Sequence, residues 1–194
     1  KSDLLIVVTD PHRPGHELAY YPGETNLLLA DVVVINKIDT ADPESIDEVR
    51  WNIREANPDA KIVDCASPIK VEDPSLIFGK KALVVEDGPT LTHGEMSYGA
   101  GMVAAEKFGA SEVVDPRPYL TGRLKETFDQ YPDIGTLLPA MGYGGEQIKD
   151  LETTIAKTDC DVVIIGTPID LRRIIDIKQP SVRVTYSLQE IGKP

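Results

Sequence analysis

The sequence predicts an α/β protein with a mainly parallel sheet and helices on both faces of that sheet. Runs typical of strands alternate along the chain with runs of helical spacing, which is the order of βαβ units. Within the run Asp31–Asn36 the four residues Val32–Ile35 are all apolar, which is typical of a central strand covered on both sides. The chain has 194 residues, 41% of them hydrophobic, which is enough for one core or two small ones.

The individual elements follow from apolar spacing and from residues that begin or end helices. Pro43 after Asp42 begins a helix, and Asn57-Pro58 ends it. Strands are predicted at Leu4–Thr9, Asp31–Asn36, Lys61–Cys65, Lys81–Val85, Glu112–Val114, Asp161–Gly166 and Val182–Tyr186. Helices are predicted at Thr25–Leu29, Pro43–Ala56, Ser97–Phe108, Tyr119–Tyr131, Gly145–Lys157 and Ile169–Ile175.

The overall charge excludes some classes of partner. The formal net charge of −12 and the pI of about 4.6 make the chain a poor electrostatic match for nucleic acid or an anionic membrane. No run of about eighteen apolar residues predicts a membrane span, and no signal-peptide pattern is present, so a cytoplasmic location is expected. The two cysteines, Cys65 and Cys160, are far apart and are expected to be free thiols.

The first candidate binding motif follows the strand Asp31–Asn36. Ligands of open α/β sheets lie beyond the carboxyl ends of the strands, so Asn36, Lys37 and Asp39 are placed where a ligand would bind. The pattern Asn-Lys-x-Asp resembles the base-reading motif of GTP-binding proteins, in which the Asp carboxylate accepts hydrogen bonds from the guanine edge. The alternative is an ordinary loop, because these residue types are common in turns.

A second motif follows the next strand. Cys65-Ala66-Ser67 resembles the Ser-Ala motif of the same GTPases, whose backbone N–H groups support the guanine oxygen. Two such motifs on successive strands favour a P-loop NTPase or Rossmann-like three-layer architecture. Residues 1–70 then form the C-terminal part of a GTPase-like nucleotide-binding domain. Residues 81–194 form a second α/β region, possibly continuous with the first, and the Pro-rich and charged segment 67–80 connects them.

The loop after the first strand offers groups for phosphate chemistry. Asp10 ends the strand and is the candidate for holding Mg²⁺, directly or through water. Arg13 is a candidate for contacting a phosphate through its guanidinium fork. The alternative is a Pro-rich turn in which Asp10 is a cap, since Pro11, Pro14 and Gly15 surround these residues.

Two further loops in the second half are candidates for anion binding. The loop after Lys81–Val85 is rich in Gly and Thr and runs into a helix, which favours phosphate binding by Thr90, Thr92 and Gly94 and a catalytic role for His93. The turn Gly166-Thr167-Pro168 places Arg172 as a phosphate-binding candidate. The alternatives are a surface loop for the first and surface ion pairing for Arg172.

One expected element is missing from the sequence. There is no Gly-x-x-x-x-Gly-Lys-Ser/Thr phosphate cradle and no Gly-x-Gly-x-x-Gly. The chain on its own is therefore expected to be an incomplete enzyme, a fragment of a nucleoside-triphosphate-dependent ligase, synthetase or GTPase. The alternative is a non-catalytic module that binds an anionic metabolite or a protein partner. Homodimer formation stays open.

Four segments together resemble the cyclic 2,3-diphosphoglycerate synthetase family, many members of which are described only as GTPases. These segments are Thr9–Glu17, Asn36–Asp39, Val85–Gly94 and Gly166–Leu171. Family members are longer and carry the phosphate loop N-terminal to the portion that this chain resembles.

The resemblance implies closure of an intramolecular phosphoanhydride with cleavage of ATP and participation of Mg²⁺. It gives roles to Asp10, Arg13 and His93 in catalysis and to Asn36, Lys37, Asp39, Ala66 and Ser67 in nucleotide binding. The tetrad favours guanine whereas the family name implies ATP, so the cofactor is GTP or ATP. The partners are a nucleotide and a small phosphorylated or anionic metabolite.

Overall fold

A computed structural model describes residues 2–19, 21–88 and 99–192 of the chain. The chain divides into two compact units. The first unit comprises residues 1–68 and 186–194, and the second unit comprises residues 69–185.

The elements are as follows. The strands are β1 (Ile6–Thr9), β2 (Val32–Ile35), β3 (Lys61–Ala66), β4 (Ile69–Val71), β5 (Lys81–Asp87), β6 (Glu112–Val113), β7 (Leu138–Ala140), β8 (Val162–Ile165), β9 (Ser181–Tyr186) and β10 (Gln189–Glu190). The α-helices are α1 (His16–Ala19), α2 (Tyr21–Leu29), α3 (Pro43–Ala56), α4 (Ala100–Lys107), α5 (Arg123–Gln130) and α6 (Gly145–Lys157). Short 3₁₀ turns lie at Pro74–Leu76, Arg117–Tyr119, Pro132–Ile134 and Leu171–Arg173.

The sheet of the first unit has the order β1-β2-β3-β10. β1, β2 and β3 are parallel, and β10 pairs with β3 in the antiparallel direction. One face of the sheet is covered by α2 and α3, whose side chains Leu27, Val49 and Ile53 pack on Val33 and Ile35. All five are fully buried, and each buried side chain of this size contributes about 1.5–3 kcal/mol to stability.

The sheet of the second unit has the order β4-β9-β8-β5-β6, and β7 pairs with β5 beyond the end of β6. β5, β6, β7, β8 and β9 are parallel where they pair. The central strands β5 and β8 are buried over Ala82–Val85 and Val162–Ile165. Helices α5 and α6 bury Leu124 and Ile155, among others, in the same core. The predicted α/β class, with mainly parallel sheets and helices in a three-layer architecture, is therefore confirmed.

Two predicted helices have the predicted bounds, Pro43–Ala56 and Gly145–Lys157. The helix predicted at Tyr119–Tyr131 is wrong in its first turn, because Gly122 has a φ of 52° and α5 begins only after it. The helix predicted at Ile169–Ile175 is a single 3₁₀ turn. The predicted connection 67–80 contains β4, and β7 was not predicted at all. Within the described residues, no helix is both long and apolar enough to cross a membrane.

Candidate functional site

The loops that follow β1, β2 and β3 meet at one edge of the first sheet. The three strands are in parallel register, so that Thr9, Ile35 and Asp64 lie side by side near their carboxyl ends. The backbone N–H of Asn36 donates to the carbonyl oxygen of Thr9 at 3.1 Å, and that of Ile38 donates to the carbonyl oxygen of Cys65 at 3.2 Å. The polar residues that follow each strand are thereby brought together.

Asp10 is the most strongly held of these residues. Its Oδ2 accepts hydrogen bonds from Lys37 Nζ at 2.8 Å and from Arg13 Nη2 at 3.2 Å, and its Oδ1 accepts one from the backbone N–H of His12 at 3.2 Å. Burial alone would raise the pKa of Asp10, but the hydrogen bond and charge of Lys37, helped by His12 and Arg13, hold that pKa below its usual value. Asp10 is therefore a carboxylate in ion pairs with two cations.

Lys37 reaches Asp10 from an unusual backbone conformation. Its φ of 60° is the only positive φ of a described non-glycine residue. This left-handed conformation costs an L-residue about 1–2 kcal/mol and is worth attention where it occurs. The turn is closed by backbone N–H groups of Thr40 and Ala41, both of which donate to the carbonyl oxygen of Lys37 at 3.1 Å. The turn also places Thr40 Oγ1 at 2.9 Å from His12 Nε2, so it is joined twice to the loop after β1.

Asp39 joins the loop after β2 to the loop after β3. Its Oδ1 accepts a hydrogen bond from the backbone N–H of Ser67 at 3.0 Å, and its side chain is exposed. Ala66, just before Ser67, is buried. The side-chain Oδ1 of Asn36 is buried without a hydrogen-bond partner, which is costly unless another group fills that position.

A cleft of about 540 Å³ lies beside β1. It is lined by Leu5, Ile6, Val7, Val8, Thr9, Asp10, Arg13, His16, Glu17, Gly23 and Asn26. Of the predicted site residues, Asp10 and Arg13 line this cleft, whereas Asn36, Lys37 and Asp39 are not among its lining residues. The cleft therefore follows the free side of β1 and ends at the predicted phosphate-contacting groups.

The fit of Mg²⁺ to Asp10 is limited by the two cations already on this carboxylate. The described residues hold no group of three or more His, Cys, Asp or Glu side chains arranged for a metal. Mg²⁺ is usually held by one or two carboxylates together with phosphate oxygens and water. Asp10 could supply one such carboxylate once phosphates had drawn Lys37 and Arg13 away from it.

The predicted residues of the second half are placed differently. Thr90, Thr92, His93 and Gly94 lie outside the described residues. Arg172 is described, and it makes two-pronged ion pairs with Glu72, at 2.8 and 2.9 Å, and with Asp170, at 2.9 and 2.8 Å. The structure therefore contains the ion pairing that was the alternative for Arg172. A phosphate role for Arg172 stays a prediction, and it requires phosphate to replace Glu72 or Asp170 as its partner.

Glu86, near the end of β5, is a candidate that sequence reasoning missed. Its side chain is 3% exposed, and its Oε1 accepts hydrogen bonds from the backbone N–H groups of Gly101 at 2.7 Å and Met102 at 3.0 Å. Burial raises the pKa of Glu86 to about 7, against the lowering effect of these two hydrogen bonds. The available signal is a carboxylate directly after the apolar run Ala82–Val85, a pattern that usually indicates the start of a loop.

Three glycines surround the Glu86 carboxylate. A Cβ atom on Gly99 or Gly166 would lie 2.4 Å from Glu86 Oε2, and one on Gly101 would lie 2.9 Å from Oε1. These positions accept no side chain without displacing the carboxylate. Helix α4 and the end of β8 can therefore approach β5 closely only because these residues lack a Cβ.

Comparison with known proteins gives two relatives. The chain is 62% identical over 194 residues to arginine synthetase ArcE of Thermococcus kodakarensis, an alignment that covers all of this chain and 43% of the relative. It is 25% identical to cyclic 2,3-diphosphoglycerate synthetase of Methanosphaera stadtmanae, over 98% of this chain and 41% of the relative. No protein-family profile matches. The chain is similar to a part of two synthetases, and it spans less than half the length of either.

Proposed function

We propose that residues 1–194 form part of a synthetase that uses a purine nucleoside triphosphate for phosphoryl transfer. The observation that carries this proposal is the joining of three strand-end loops through Asp10–Lys37 and Asp39–Ser67. Parallel strands that end together create the crevice in which α/β proteins bind ligands. The similarity to two proteins named as synthetases supports the same class of reaction.

In this proposal Asp39 reads the base. Its Oδ1 is already positioned by the backbone N–H of Ser67, which leaves Oδ2 for the N–H groups of a guanine edge. The backbone around Ala66 and Ser67 then faces the guanine oxygen. Adenine presents the opposite pattern of donors and acceptors at this edge, so a site of this kind favours GTP over ATP. ATP is the alternative nucleotide.

The phosphates of the nucleotide are proposed to lie next to Asp10, Lys37 and Arg13. The two cations are held on one carboxylate, and bound phosphates would compete for them, because both kinds of oxygen accept charge-assisted hydrogen bonds. Asp10 would then be free to hold Mg²⁺ or its water. Mg²⁺ offsets the charge of the transferring phosphoryl group in this class of reaction.

The metabolite is proposed from the relatives. Similarity at 62% identity favours arginine formation over the formation of cyclic 2,3-diphosphoglycerate, for which the identity is 25%. Both would require a small charged substrate next to the nucleotide phosphates. A synthetase couples such bond formation to cleavage of a phosphoanhydride, which is the step that Lys37 and Arg13 would assist.

The base-reading assignment is tested with Asp39→Asn in the gene product at its native length. Asparagine exchanges one carboxylate oxygen for an amide donor, so we expect GTP affinity to fall at least 30-fold and affinity for xanthosine triphosphate to rise, as measured by calorimetric titration. Asp42→Asn is the matched control, because Asp42 makes no side-chain cap bond and is exposed.

If Asp39→Asn leaves both affinities unchanged, the base is not read by Asp39. If no nucleotide binds and no phosphate is released in the presence of any substrate mixture, the chain functions instead as a non-catalytic binding module for an anionic metabolite or a protein.

A further inference from the structure

A cavity of about 200 Å³ lies between α5 and α6 in the second unit. All of its lining residues belong to that unit. Met141 and Gly142, which directly follow β7, are among them, so the cavity lies beside the carboxyl end of that strand. Ligands of open α/β sheets bind beyond the carboxyl ends of the strands. Pockets for drug-sized ligands measure about 300–1,000 Å³, so this cavity suits a smaller molecule.

The wall that α5 contributes to this cavity is polar. The polar lining residues of this helix are Arg123, Glu126, Thr127 and Gln130. Their spacing of three and four residues places them on one face of the helix. Phe128, on another face, is buried in the core. The polar face of α5 therefore borders a cavity, where its charged and hydrogen-bonding groups can contact a ligand.

The opposite wall contains a carboxylate that the fold holds in place. Gln147 and Asp150 line the cavity from α6. The Oδ2 of Asp150 accepts a hydrogen bond from the backbone N–H of Arg123 at 3.0 Å, so Asp150 caps the first turn of α5. A Cβ at Gly122 would collide with this carboxylate, and the φ of Gly122 is 52°, so glycine is required there. Asp150 is therefore a fixed negative group of the cavity wall.

The cavity is lined by one positive side chain, Arg123, and two negative ones, Glu126 and Asp150. Arg123 takes part in none of the ion pairs among the described residues, so its guanidinium fork can bind a carboxylate of a ligand. A purely anionic ligand would also meet Glu126 and Asp150, and a purely cationic one would meet Arg123. The charges therefore favour a ligand that carries both signs.

We propose that this cavity binds a basic α-amino acid, with the carboxylate of the ligand on Arg123 and its two cationic groups next to Glu126 and Asp150. The single carboxylate and two cations of such a molecule match the one positive and two negative side chains of the cavity. Gln130 and Gln147 can each donate and accept further hydrogen bonds to it. The proposal goes beyond the nucleotide reaction and depends only on the second unit.

Calorimetric titration of the 194-residue chain with L-arginine, without nucleotide, tests the proposal. We expect a dissociation constant of about 1 mM or lower. Agmatine lacks the carboxylate, N-acetyl-L-arginine lacks the α-ammonium group, and L-glutamine lacks the cationic side chain, so each should bind at least about tenfold more weakly. The proposal is overturned if L-arginine does not bind at about 20 mM, or if any of the three analogues binds as tightly as L-arginine.

Substitutions on α5 locate the binding site. Arg123→Gln should weaken L-arginine binding at least about tenfold and leave agmatine binding unchanged or tighter, because agmatine has no carboxylate to lose a partner. Glu126→Gln should weaken both ligands. Lys125→Gln, at an exposed position of the same helix that does not line the cavity, is the control. A loss of L-arginine affinity in Arg123→Gln no larger than in Lys125→Gln would overturn the proposal.

The nucleotide proposal and this one can fail separately. The titrations with L-arginine contain no nucleotide, and every substituted residue lies in the second unit. Failure of the base-reading test with Asp39→Asn would therefore leave L-arginine binding as expected here, and absence of L-arginine binding would leave the test of Asp39 unaffected.

Discussion

Each of the two sheets presents a carboxylate near the carboxyl end of a strand, and the two carboxylates are held by different kinds of partner. Asp10 after β1 is held by the cations Lys37 and Arg13, whereas Glu86 at the end of β5 is held by two backbone N–H groups at the start of α4. Burial raises the pKa of both, but only Asp10 has cations that more than offset it. The pKa therefore falls in one unit and rises to about 7 in the other.

This difference shows that position at a strand end does not decide the chemistry of a carboxylate. Asp10 is a charged group held by the side chains of Lys37 and Arg13. Glu86 occupies the N-terminus of a helix, where the backbone would otherwise attract an external anion. The N-terminus of α4 at the second strand end is already occupied by the Glu86 carboxyl group.

The largest expected effect is on the pH dependence of Glu86. Its pKa is about 7 in the folded chain and near 4.5 when unfolded, so the unfolded chain loses this proton first as the pH rises. The stabilisation that protonated Glu86 contributes is fully present below pH 4.5. It falls by about 2–4 kcal/mol as the pH rises through the folded pKa of about 7. Glu86→Gln keeps an oxygen for Gly101 and Met102 but cannot ionise, so it should remove this loss.

Urea unfolding of the 194-residue chain at pH 5, 6, 7 and 8 measures the effect. At pH 5 Glu86→Gln should be no more stable than the wild type, and at pH 8 it should be more stable. Glu106→Gln, the same substitution at an exposed position of α4, is the control. It should leave the change of unfolding free energy with pH as it is in the wild type. Identical slopes for the wild type and Glu86→Gln would show that Glu86 does not titrate in this range.

The next effect concerns the space around Glu86. In Gly166→Ala the new Cβ would meet Glu86 Oε2 at 2.4 Å and the backbone nitrogen of Gly101 at 2.9 Å. Because neither group can move freely, we expect a loss of about 1–3 kcal/mol in urea unfolding. Gly145→Ala is the matched control, since its Cβ would meet nothing within 4 Å. An equal effect of the two substitutions would mean that the glycine at 166 is not required by packing.

A smaller effect is expected on the Asp10 side. Lys37→Met removes the main cation from a partly buried carboxylate and should cost about 1–2 kcal/mol above pH 5. Because the pKa of Asp10 is lowered in the folded chain, this contribution is present above the unfolded pKa and is lost as the pH falls through the folded value. The difference between Lys37→Met and the wild type should therefore shrink below pH 4.

Lys178→Met is the control for this experiment, since Lys178 pairs with Asp176 on the surface. Thermal unfolding at several pH values measures both. A difference between Lys37→Met and the wild type that does not depend on pH would show that the pair with Asp10 is not its cause.

The smallest effect is expected at Arg172 in the second unit. Arg172→Lys loses the planar fork that contacts Glu72 and Asp170, and it should cost about 0.5–1 kcal/mol at low salt and less at 0.5 M NaCl. Arg173→Lys, the same change at the adjacent exposed residue, is the control. Stabilisation of the wild type, but not of Arg172→Lys, by millimolar phosphate would favour the predicted phosphate role.

The sequence was most informative where local chemistry and tertiary structure agree. Pro43 and Asn57-Pro58 bound α3 on both sides, and the apolar run before Asn36 placed a buried parallel strand. Since parallel strands end at a common edge, the proximity of Asp10, Lys37 and Asp39 could be expected. Their individual partners could not, because the Asp10–Lys37 pair depends on the left-handed turn at Lys37.

The missed elements share a physical cause. β7 has three residues with Pro139 in the middle, and β10 has two residues. Both are too short to show the alternation of apolar and polar residues that predicts a strand. Both are fixed by the edge that they join rather than by their own propensity. Glu86 was missed for the opposite reason, since a charged residue after an apolar run normally indicates that burial has ended.

The return of β10 to β3 has a consequence for biosynthesis. β3 is made early, but Gln189 and Glu190, which cover its outer side, emerge from the ribosome only after the whole of the second unit. The first unit therefore cannot complete this side of its sheet until the whole of the second unit has been translated. A nascent chain stalled before Gln189 should expose this side of β3 to chaperones, even when the unit translated after it has already folded.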